Sequence, residues 1–594
     1  MSQESLREAD VLIIGAGLAG ACLARQLLLA DPDKRILMVD RLAEVPNPSQ
    51  KVGEATVQVS GYYYSRVLEM EEHLLQEHYL KYNLRFYWPS ERGAGAWEDL
   101  SQSYIRKLSN IATYQLDRNK FEEAVLAKNR ENPNFELIHP ANGLDVQLAE
   151  DGGPHAFRFT ANGEEIQGRA AWVVDSSGRH RFLVKKLKTD RPSPIRHGSS
   201  FLWVDGLLDP EKITNLSRRE LRLRKERGTF GHFPTFLATN HFCGEGYWFW
   251  EIPLHGKTSL GLVFDSENVA FKDVSSAEKL VEWICREYPL YARDLPQRKV
   301  LHHSGFASFS LDSGQTISPS RYALCGEASR FSDPLYSPGG DLISIYNTLI
   351  ADAILTDDQA ELEAKVRLYE PLARAVYEAY VPSFSVSYCT LGDQECFSLR
   401  YAWELTIYFA YYVFPFINDL HVDRHFLPAF LRRFSKLGPV NQGIHRFLAA
   451  YYRWKKENVV IPAPEPVFFD FMEVGALAAS ELTFYKVGVD RDEARRVLDE
   501  QLENLHDLAR WTVAHVTAQV LDDPRAATNA AYIRGIDLDH LEFDPAAMAE
   551  RLEAAVEESS ESYPFLFAPP CMARFRARRL VREPEIEVAV GAGG

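Results

Sequence analysis

The sequence predicts an α/β protein in which a Rossmann-like domain carries an inserted mixed β-sheet domain and is followed by a mostly α-helical C-terminal domain. A strand, a glycine-rich turn and a helix follow one another between residues 9 and 40. Short runs of alternating aromatic and polar residues fill residues 195–310, as in a mixed or antiparallel sheet. From about residue 355 onward the pattern is almost entirely helical.

The strand, turn and helix predict a site for an adenine dinucleotide. An apolar run at residues 11–14 leads into Gly15-Ala16-Gly17-Leu18-Ala19-Gly20, which has the spacing G-x-G-x-x-G, and residues 21–29 continue as a helix. The next strand, at residues 36–39, ends in Asp40, whose carboxylate can accept hydrogen bonds from ribose hydroxyls. Glycines keep this turn tight and let a pyrophosphate reach backbone N–H groups at the helix N-terminus. The alternative is an ordinary glycine-rich turn.

The chain length of 594 residues exceeds the usual size of one hydrophobic core, so several domains are expected. We expect the first domain to comprise residues 1–190 and to be completed by residues 306–352, where a buried-strand pattern returns. The β-rich domain then spans residues 191–305 and faces the substrate, and the helical domain spans residues 353–594.

Composition excludes several classes of partner. A formal net charge of −17 disfavours nucleic acid and anionic membranes. Seven cysteines without a C-x-x-C pair fit a reducing compartment, and the polar N-terminal residues lack the apolar core of a signal peptide, so a cytoplasmic protein is expected. No metal-ligand spacing occurs. The most lipid-like run, residues 405–417, is too short to span a bilayer and is expected to form a buried helix, so we expect no integral membrane segment.

Residues 56–80 are expected to be helical and to lead into a strand in which Leu84, Phe86 and Trp88 alternate with polar positions. This arrangement places Lys81 at the mouth of the strand.

Four separated segments occur in an order that resembles the flavoprotein monooxygenase superfamily: the glycine turn, residues 114–118, residues 175–179 and Gly326-Glu327. In that superfamily the turn holds the FAD pyrophosphate, the arginine of the second segment lies near the same phosphates, and a late G-D motif contacts ribose and pyrophosphate. Here Glu327 replaces the usual Asp. The resemblance covers roughly residues 9–350 and implies an FAD-binding domain. The residues that it implies for FAD are Gly15, Ala16, Gly17, Ala19, Gly20, Asp40, Arg118, Asp175, Gly326 and Glu327.

Three further motifs resemble the flavin-dependent halogenases. Residues 248–253 read W-x-W-x-I-P, residues 52–56 match the V-G-E-A-T loop beside the flavin, and Lys81 stands in the setting K-x-x-[IL]-[KR]-F of the catalytic lysine. The resemblance implies that Lys81, Trp248, Trp250 and Glu54 serve catalysis and that Val52, Gly53, Ala55 and Pro334 contact the cofactor. In that family reduced FAD and O2 oxidise halide to hypohalous acid, a lysine delivers it to an electron-rich carbon, and the tryptophans exclude water.

Each of these residues also has a structural alternative. The tryptophans would ordinarily pack in a sheet, Lys81 would be a solvated strand-end lysine, and Glu54 would be an acid at a helix N-terminus.

The turn expected to bind halide departs from that of the tryptophan halogenases, which carry Glu-Ser-Thr-Gly after a D-P-L turn. In those enzymes the Glu assists the lysine, and backbone N–H groups of the Thr and Gly bind chloride. Here the turn reads Tyr336-Ser337-Pro338-Gly339, so the acid is absent and the proline supplies no N–H. We therefore expect chloride or bromide to rely on Ser337, Gly339, Gly340 and the field of the following helix. The acid is also absent from halogenases that act on phenols, pyrroles or carrier-bound substrates.

We interpret the sequence as an FAD-dependent, two-component halogenase of secondary metabolism that acts on an electron-rich aromatic or carrier-tethered small molecule. No second G-x-G-x-x-G follows a strand, so a separate flavin reductase is expected to supply reduced FAD. Two alternatives remain open. One is a halide-independent flavin monooxygenase, if the turn has lost halide, and the other is a non-catalytic flavin-binding interaction protein.

Overall fold

Two eight-stranded sheets organise the computed structural model, which describes residues 6–149, 152–213, 217–219, 234–563 and 575. The centre of the first sheet is parallel, and its strands follow the order Tyr322–Leu324, Glu164–Asp175, Arg7–Ile14, Ile36–Val39 and Phe135–Ile138. Antiparallel strands complete its margins: Ile317–Ser318, Asn142–Gln147 and His155–Ala161.

The parallel centre explains the continuous apolar runs in the sequence. Side chains such as Val11, Leu12 and Ile13 are fully buried because both faces of this part of the sheet are covered. The predicted strands around the glycine turn are confirmed. The helix after the turn, Leu18–Ala30, begins three residues earlier than predicted, directly after its N-cap residue Gly17.

The second sheet is assembled from distant parts of the chain. Its strands follow the order Val300–Phe306, His197–Asp205, Lys257–Asp265, Tyr247–Leu254, Thr239–Gly244, Leu84–Pro89, Leu100–Tyr104 and Phe468–Phe469. The predicted β-rich stretch therefore forms a sheet, and strands from residues 84–104 and 468–469 extend it. Along Tyr247–Leu254, side chains alternate between two hydrophobic clusters, with Trp248 and Trp250 in one and Phe249 in the other.

Helices cover both sheets and account for most of the described chain after residue 338. Before that point they are Gln58–Tyr62, Tyr63–Val67 (a π-helical turn), Glu71–Glu77, Arg118–Arg130, Phe182–Leu187 and Ala277–Glu287. The later helices are Pro338–Ile354, Gln359–Glu378, Val381–Ser385, Gln394–Tyr408, Phe409–Val413 (π-helical), Phe414–Ile417, Leu427–Asn458, Gly475–Glu481, Arg491–Leu521, Ala530–Arg534 and Pro545–Glu558. The expected buried helix at residues 405–417 is present as three consecutive segments. None of the helices in the described residues combines the length and apolarity needed to cross a membrane.

The helix expected at residues 56–80 is interrupted. Glu69 adopts a positive φ of 56° between two helical pieces, and Tyr79–Leu80 is a short strand that pairs with Tyr114–Gln115. Lys81 consequently lies between this strand and the next one, Leu84–Pro89, rather than at the mouth of one continuous strand. Its backbone N–H donates to the carbonyl of Thr113 (2.8 Å).

Candidate active site

A cleft opens at the carboxyl ends of the parallel strands of the first sheet, where open α/β sheets bind their ligands. We call it the dinucleotide cleft. Its outer part, of about 760 Å³, is lined by Gly15, Ala16, Gly17, Asp40 and the loop 176–180, among others. Its inner part, of about 200 Å³, reaches the second sheet at Trp248 and Trp250. The two parts share several lining residues, namely Gly17, Val52, Arg118, Ser176, Gly178 and Glu327.

The glycine turn fits the diphosphate of a dinucleotide. Gly15 has a φ of +101°, and a Cβ there would lie 2.5 Å from the carbonyl oxygen of Ser176, so only glycine is tolerated. At Gly17 a Cβ would meet nothing within 4 Å, because this side of the turn faces the cleft. No side chain caps the helix that follows, so its first N–H groups remain available to an anion. Asp40 accepts the N–H of Ala16 (2.8 Å) and lines the cleft beside it.

Asp175 and Gly20, both expected to contact the cofactor, do not line the cleft but support the turns that do. The Asp175 carboxylate is fully buried and accepts the backbone N–H groups of Ser177 (3.0 Å) and Leu183 (2.7 Å), so it fixes the turn that lines the cleft without lining it. A Cβ on Gly20 would lie 2.4 Å from both the Gly15 carbonyl oxygen and the Ser176 hydroxyl, so this glycine allows the helix to pack closely on the turn.

Residues 113–116 hold two sequence motifs side by side, the loop 52–56 and the segment that leads to Lys81. Thr56 donates its N–H to the carbonyl of Tyr114 (2.9 Å), which anchors the loop 52–56, and Leu80 pairs with the same residue from the other side. Arg118 follows at once and donates from Nη1 to the carbonyl of Val52 (2.7 Å). The turn at Gly53, with a φ of +100°, leaves only 2.9 Å between a would-be Cβ and Arg118 Nη1.

The tryptophans of the W-x-W motif close the inner part of the dinucleotide cleft. Trp248 and Trp250 are each 2% exposed, and their ring centroids lie 5.7 Å apart. Trp250 donates from Nε1 to the Ser259 hydroxyl (3.0 Å), which in turn donates to Glu54 Oε2 (2.5 Å). Trp203 donates to the other oxygen, Oε1, at 2.6 Å. Burial raises the pKa of Glu54 to about 7, and these hydrogen bonds oppose the rise. Glu54 therefore holds Trp250 through Ser259.

Lys81 is buried, and its ammonium group makes no hydrogen bond to the described residues. The side chain is 5% exposed, and its Nζ has no hydrogen-bond partner among the described residues. Burial lowers its pKa to about 7, and the Asp341 carboxylate opposes the fall. Burial lowers the pKa of His241, which lines the inner part of the dinucleotide cleft, and the charge of Lys81 adds to the fall. The ammonium group therefore stands close to the cleft although its side chain faces a second cavity.

That second cavity, which we call the aromatic cavity, measures about 280 Å³. Two buried charged groups, Lys81 and Glu481, and the partly buried Glu404 lie in its wall. Most of the surrounding surface is aromatic or aliphatic: Val57, Leu84, Ile105, Ile111, Tyr336, Tyr380, Tyr401, Leu405, Tyr408, Phe409, Met472 and Phe484. It adjoins the dinucleotide cleft along two segments, because Val57 follows the loop 52–56 and Tyr336 precedes Ser337, which lines the cleft.

The turn at residues 333–340 forms the boundary between the two spaces. His197 donates from Nδ1 to Asp333 (2.6 Å), and Ser337 donates its N–H to the carbonyl of Pro334 (2.9 Å). Tyr336 and Ser337 both have positive φ values, 68° and 60°, immediately before the helix that starts at Pro338. Pro334, Ser337, Gly339 and Gly340 all line the inner part of the dinucleotide cleft, together with Ala19, Ala55 and Gly326.

The structure thus gathers nearly every motif residue around two adjoining spaces. Glu327 lies in the wall of the cleft with Arg179 at 3.8 Å. Sequence reasoning missed Ser259, His241 and Glu404, which lie far from the motifs along the chain. A local sequence signal exists only for Ser259. Ser259 and Gly261 are two residues apart on one strand, so both lie on the sheet face that carries Trp250.

These sheets and the helices around them define a mixed α/β fold with a cleft at the carboxyl ends of the parallel strands. Among solved structures, the halogenase PltM in complex with phloroglucinol and FAD superposes with a TM-score of 0.55 at 17% identity, covering 85% of this chain and 96% of that one. At this identity the likeness concerns the fold, and it confirms the predicted fold class.

Sequence comparison leads to the same group of proteins, although no family model matches the chain. The chain is 24% identical over 451 residues to the flavin-dependent halogenase chlA of Dictyostelium discoideum, covering 71% of this chain and 73% of that protein. It is 23% identical over 359 residues to the flavin-dependent halogenase armH5 of Armillaria mellea, covering 57% and 63%. A 1H-pyrrole-2-carbonyl-(peptidyl-carrier protein) chlorinase of Pseudomonas fluorescens is 22% identical over 229 residues, 38% of this chain and 47% of that enzyme. The resemblance to flavin-dependent halogenases is confirmed.

Proposed function

We propose that this protein is an FAD-dependent halogenase that uses reduced FAD, O2 and chloride or bromide to halogenate an electron-rich aromatic small molecule. The observation that carries the proposal is Lys81, a buried lysine without a partner at the boundary between a cleft that fits FAD and a cavity lined by aromatic side chains.

FAD is assigned to the dinucleotide cleft. The glycine turn and the N-terminus of the following helix would hold its diphosphate, Asp40 its ribose, and Val52, Gly53 and Ala55 its ring system. When bound in the reduced form, FAD supplies the electrons with which O2 and halide become hypohalous acid and water. Since the motif for a second dinucleotide is absent from the sequence, we assign the supply of reduced FAD to a separate flavin reductase.

Lys81 is suited to pass the halogen from the cleft to the aromatic cavity. With a pKa of about 7, both of its protonation states are populated near neutral pH. The ammonium form donates a hydrogen bond to hypohalous acid and polarises it, and the neutral amine can accept the halogen to form a haloamine and water. Either species presents an electrophilic halogen to the aromatic cavity.

Trp248 and Trp250 keep water from an oxidant that water would consume. Both rings are almost fully buried, and the chain from Trp250 through Ser259 to Glu54 fixes one of them in place. We therefore assign Glu54 a positioning role, because its carboxylate is already occupied by Trp203 and Ser259.

Halide binding is assigned to the start of the helix Pro338–Ile354. Pro338 has no N–H, so the donors are the N–H groups of Gly339 and Gly340, with the Ser337 hydroxyl beside them. The positive end of the helix dipole adds to their attraction for an anion.

Product analysis tests the proposal. Purified protein is supplied with FAD, a flavin reductase and NADH in three parallel reactions that contain chloride, bromide or no halide. Phenols, indoles and pyrroles serve as substrates, and products are identified by mass. We expect halogenated products that require halide, whereas oxygenated products in equal yield without halide would refute the proposal and favour the second candidate, a halide-independent monooxygenase. Pro338 is the observation that favours that candidate, since it removes one halide donor from the turn.

Two finer assignments follow the same reasoning. Similarity to a carrier-protein chlorinase supports a carrier-tethered substrate as an alternative to a free one. The six described cysteines are all free thiols, which supports a cytoplasmic location.

A further inference from the structure

We propose that Glu404 accepts the hydrogen bond of a ring hydroxyl on the substrate and takes its proton as the carbon–halogen bond forms, so that the aromatic cavity selects phenols. The halogenation step rests on the proposed function. The recognition step rests on the cavity alone.

Glu404 is an acid of the aromatic cavity whose two carboxylate oxygens accept no well-formed hydrogen bond from the described residues. Two acids occur among the described residues that line the cavity, Glu404 and Glu481. Glu481 receives a hydrogen bond from Lys107 (2.8 Å). Both carboxylate oxygens of Glu404 are shielded from solvent, and neither accepts a hydrogen bond of good geometry from the described residues. A carboxylate that is shielded from water and has free acceptor sites is costly unless a ligand supplies the donor.

The nearest cation cannot fill this role because its best donors are engaged elsewhere. Arg400 donates from Nη1 to the Ser387 carbonyl (2.8 Å) and from Nη2 to the Tyr336 hydroxyl (2.9 Å). Its Nε lies 3.3 Å from Glu404 Oε1. His445 Nε2 lies 3.8 Å from the same oxygen. Arg400 therefore compensates the charge of Glu404 without the two parallel hydrogen bonds of a bidentate pair.

The surroundings also make Glu404 a stronger base than a solvated carboxylate. Burial raises its pKa, and the charge of Arg400, with the Ser383 and Tyr336 hydroxyls, opposes the rise. Burial lowers the pKa of His445 to about 3, so this imidazole is neutral and adds no cation. A proton acceptor of this kind suits a phenol, whose ordinary pKa is near 10. It does not suit an indole or pyrrole N–H, which is a far weaker acid.

Proton removal makes the ring a better nucleophile at the carbons ortho and para to the oxygen. As the ring carbon bonds to the halogen, the bond between halogen and oxygen of hypohalous acid, or between halogen and Nζ of a haloamine, breaks. The phenolic proton moves to Glu404. The group that leaves the halogen, hydroxide or the Nζ of Lys81, takes the ring proton and becomes water or the lysine amine, which restores aromaticity. Return of the proton from Glu404 then gives the halophenol. The balance is phenol plus hypohalous acid to halophenol plus water.

The segment at residues 336–339 lacks an acid, but the neighbouring helix Gln394–Tyr408 supplies Glu404 close to it. Tyr336 occupies the position at which tryptophan halogenases carry a Glu, and its hydroxyl is held by Arg400 on the helix Gln394–Tyr408. Glu404 lies one turn further along that helix and lines the same cavity as Tyr336 and Lys81. We assign Glu404 to the substrate rather than to the lysine, because Asp341 is the acid whose charge acts on Lys81.

Binding of a matched pair of probes tests recognition without halide or turnover. The probes are 2-naphthol and its methyl ether, 2-methoxynaphthalene, titrated by fluorescence against the FAD-loaded wild type, Glu404→Gln, Glu404→Asp and Glu481→Gln. We expect the wild type and Glu481→Gln to bind the naphthol at least ~10-fold more tightly than the ether, as for a hydrogen bond to a charged group. Glu404→Gln should lose most of this preference, and Glu404→Asp should retain part of it.

Halogenation of 2-naphthol then tests the proton transfer. Glu404→Gln should lower kcat for halogenation at least 10-fold while halide-dependent oxidation of reduced FAD continues at the wild-type rate. Equal binding of naphthol and ether by the wild type, no binding of naphthol, or an unchanged preference in Glu404→Gln would overturn the inference. Intact naphthol selectivity without any halogenation would instead overturn the proposed function alone. Unaltered FAD absorbance of the variants verifies that they fold.

Discussion

Replacing Lys81 by methionine should make the protein more stable and abolish halogenation. The wild-type ammonium group is buried without a hydrogen-bond partner among the described residues, so folding removes its hydration and replaces it with no hydrogen bond from those residues. Methionine has nearly the same length and no charge. The gain in stability should depend on pH in a way that only the lysine can produce.

The size of the effect follows from the pKa of Lys81, which burial lowers from 10.5 to about 7. This difference corresponds to ~5 kcal/mol, and relaxation and water entry reduce it to ~3 kcal/mol. The unfolding entropy of a chain of 594 residues is ~1.2 kcal/mol/K, so ~3 kcal/mol corresponds to an increase of ~2 °C in melting temperature.

The sign of the pH dependence follows from which state loses its proton first. Below pH 7 the lysine is charged in both the folded and the unfolded state, so the full penalty for burying the ammonium group applies. Between pH 7 and 10.5 the folded protein has lost the proton and the unfolded chain still holds it, so the stability of the wild type rises with pH. The advantage of Lys81→Met should therefore be greatest at pH 6.5 and shrink towards pH 10.

Melting temperatures at fixed heating rate, measured at pH 6.5, 8 and 9.5, provide the assay. Lys107→Met is the matched control, because this lysine lines the same cavity but is ion-paired with Glu481. It should give no gain in stability at any of these pH values. A Lys81→Met variant that melts below the wild type throughout, or by an amount independent of pH, would refute the reasoning.

Three further substitutions test other parts of the site. Gly15→Ala places a Cβ 2.5 Å from the Ser176 carbonyl oxygen at a positive φ, so the dissociation constant for FAD should rise at least ~10-fold in a fluorescence titration; wild-type affinity would contradict the assigned turn. Ser259→Ala removes the hydrogen bonds that link Trp250 to Glu54. The variant should lose ~1–3 kcal/mol in free energy of unfolding and divert more reduced FAD to hydrogen peroxide. An unchanged peroxide yield would show that these hydrogen bonds do not position the tryptophan. Pro338→Thr restores an N–H to the halide turn, so the halide concentration for half-maximal rate should fall several-fold; a constant value would remove the turn from halide binding.

The parts of the site that could be predicted are those in which a short stretch of sequence determines the local structure. A tight turn at Gly15 needs a residue that tolerates positive φ, and the spacing G-x-G-x-x-G identifies this glycine in the sequence. Trp248 and Trp250 share a face because side chains alternate along a strand, so their common position in the cleft follows from their separation by two residues.

The remaining parts depend on contacts between residues that are distant along the chain. Glu54 and Ser259 are 205 residues apart, and neither has a sequence signal that points to the other. Glu404 could not be found because its helix, Gln394–Tyr408, is buried almost all round, so the apolar pattern does not reveal which side faces a cavity. Asp175 illustrates the reverse case: the resemblance to flavoprotein monooxygenases implied a contact with the cofactor, whereas the backbone N–H groups of Ser177 and Leu183 occupy the carboxylate.

The central claim is that Lys81 transfers the halogen from the dinucleotide cleft to the aromatic cavity. Its most direct test is a single turnover in which the enzyme, loaded with reduced FAD and bromide, is mixed with O2 and 2-naphthol. Brominated naphthol and free hypobromous acid, trapped by monochlorodimedone in a parallel reaction, are quantified for the wild type and Lys81→Met. The account predicts equal oxidation of bromide by both proteins and a loss of at least ~100-fold in brominated product for the variant. Equal yields of brominated naphthol from both proteins would contradict it.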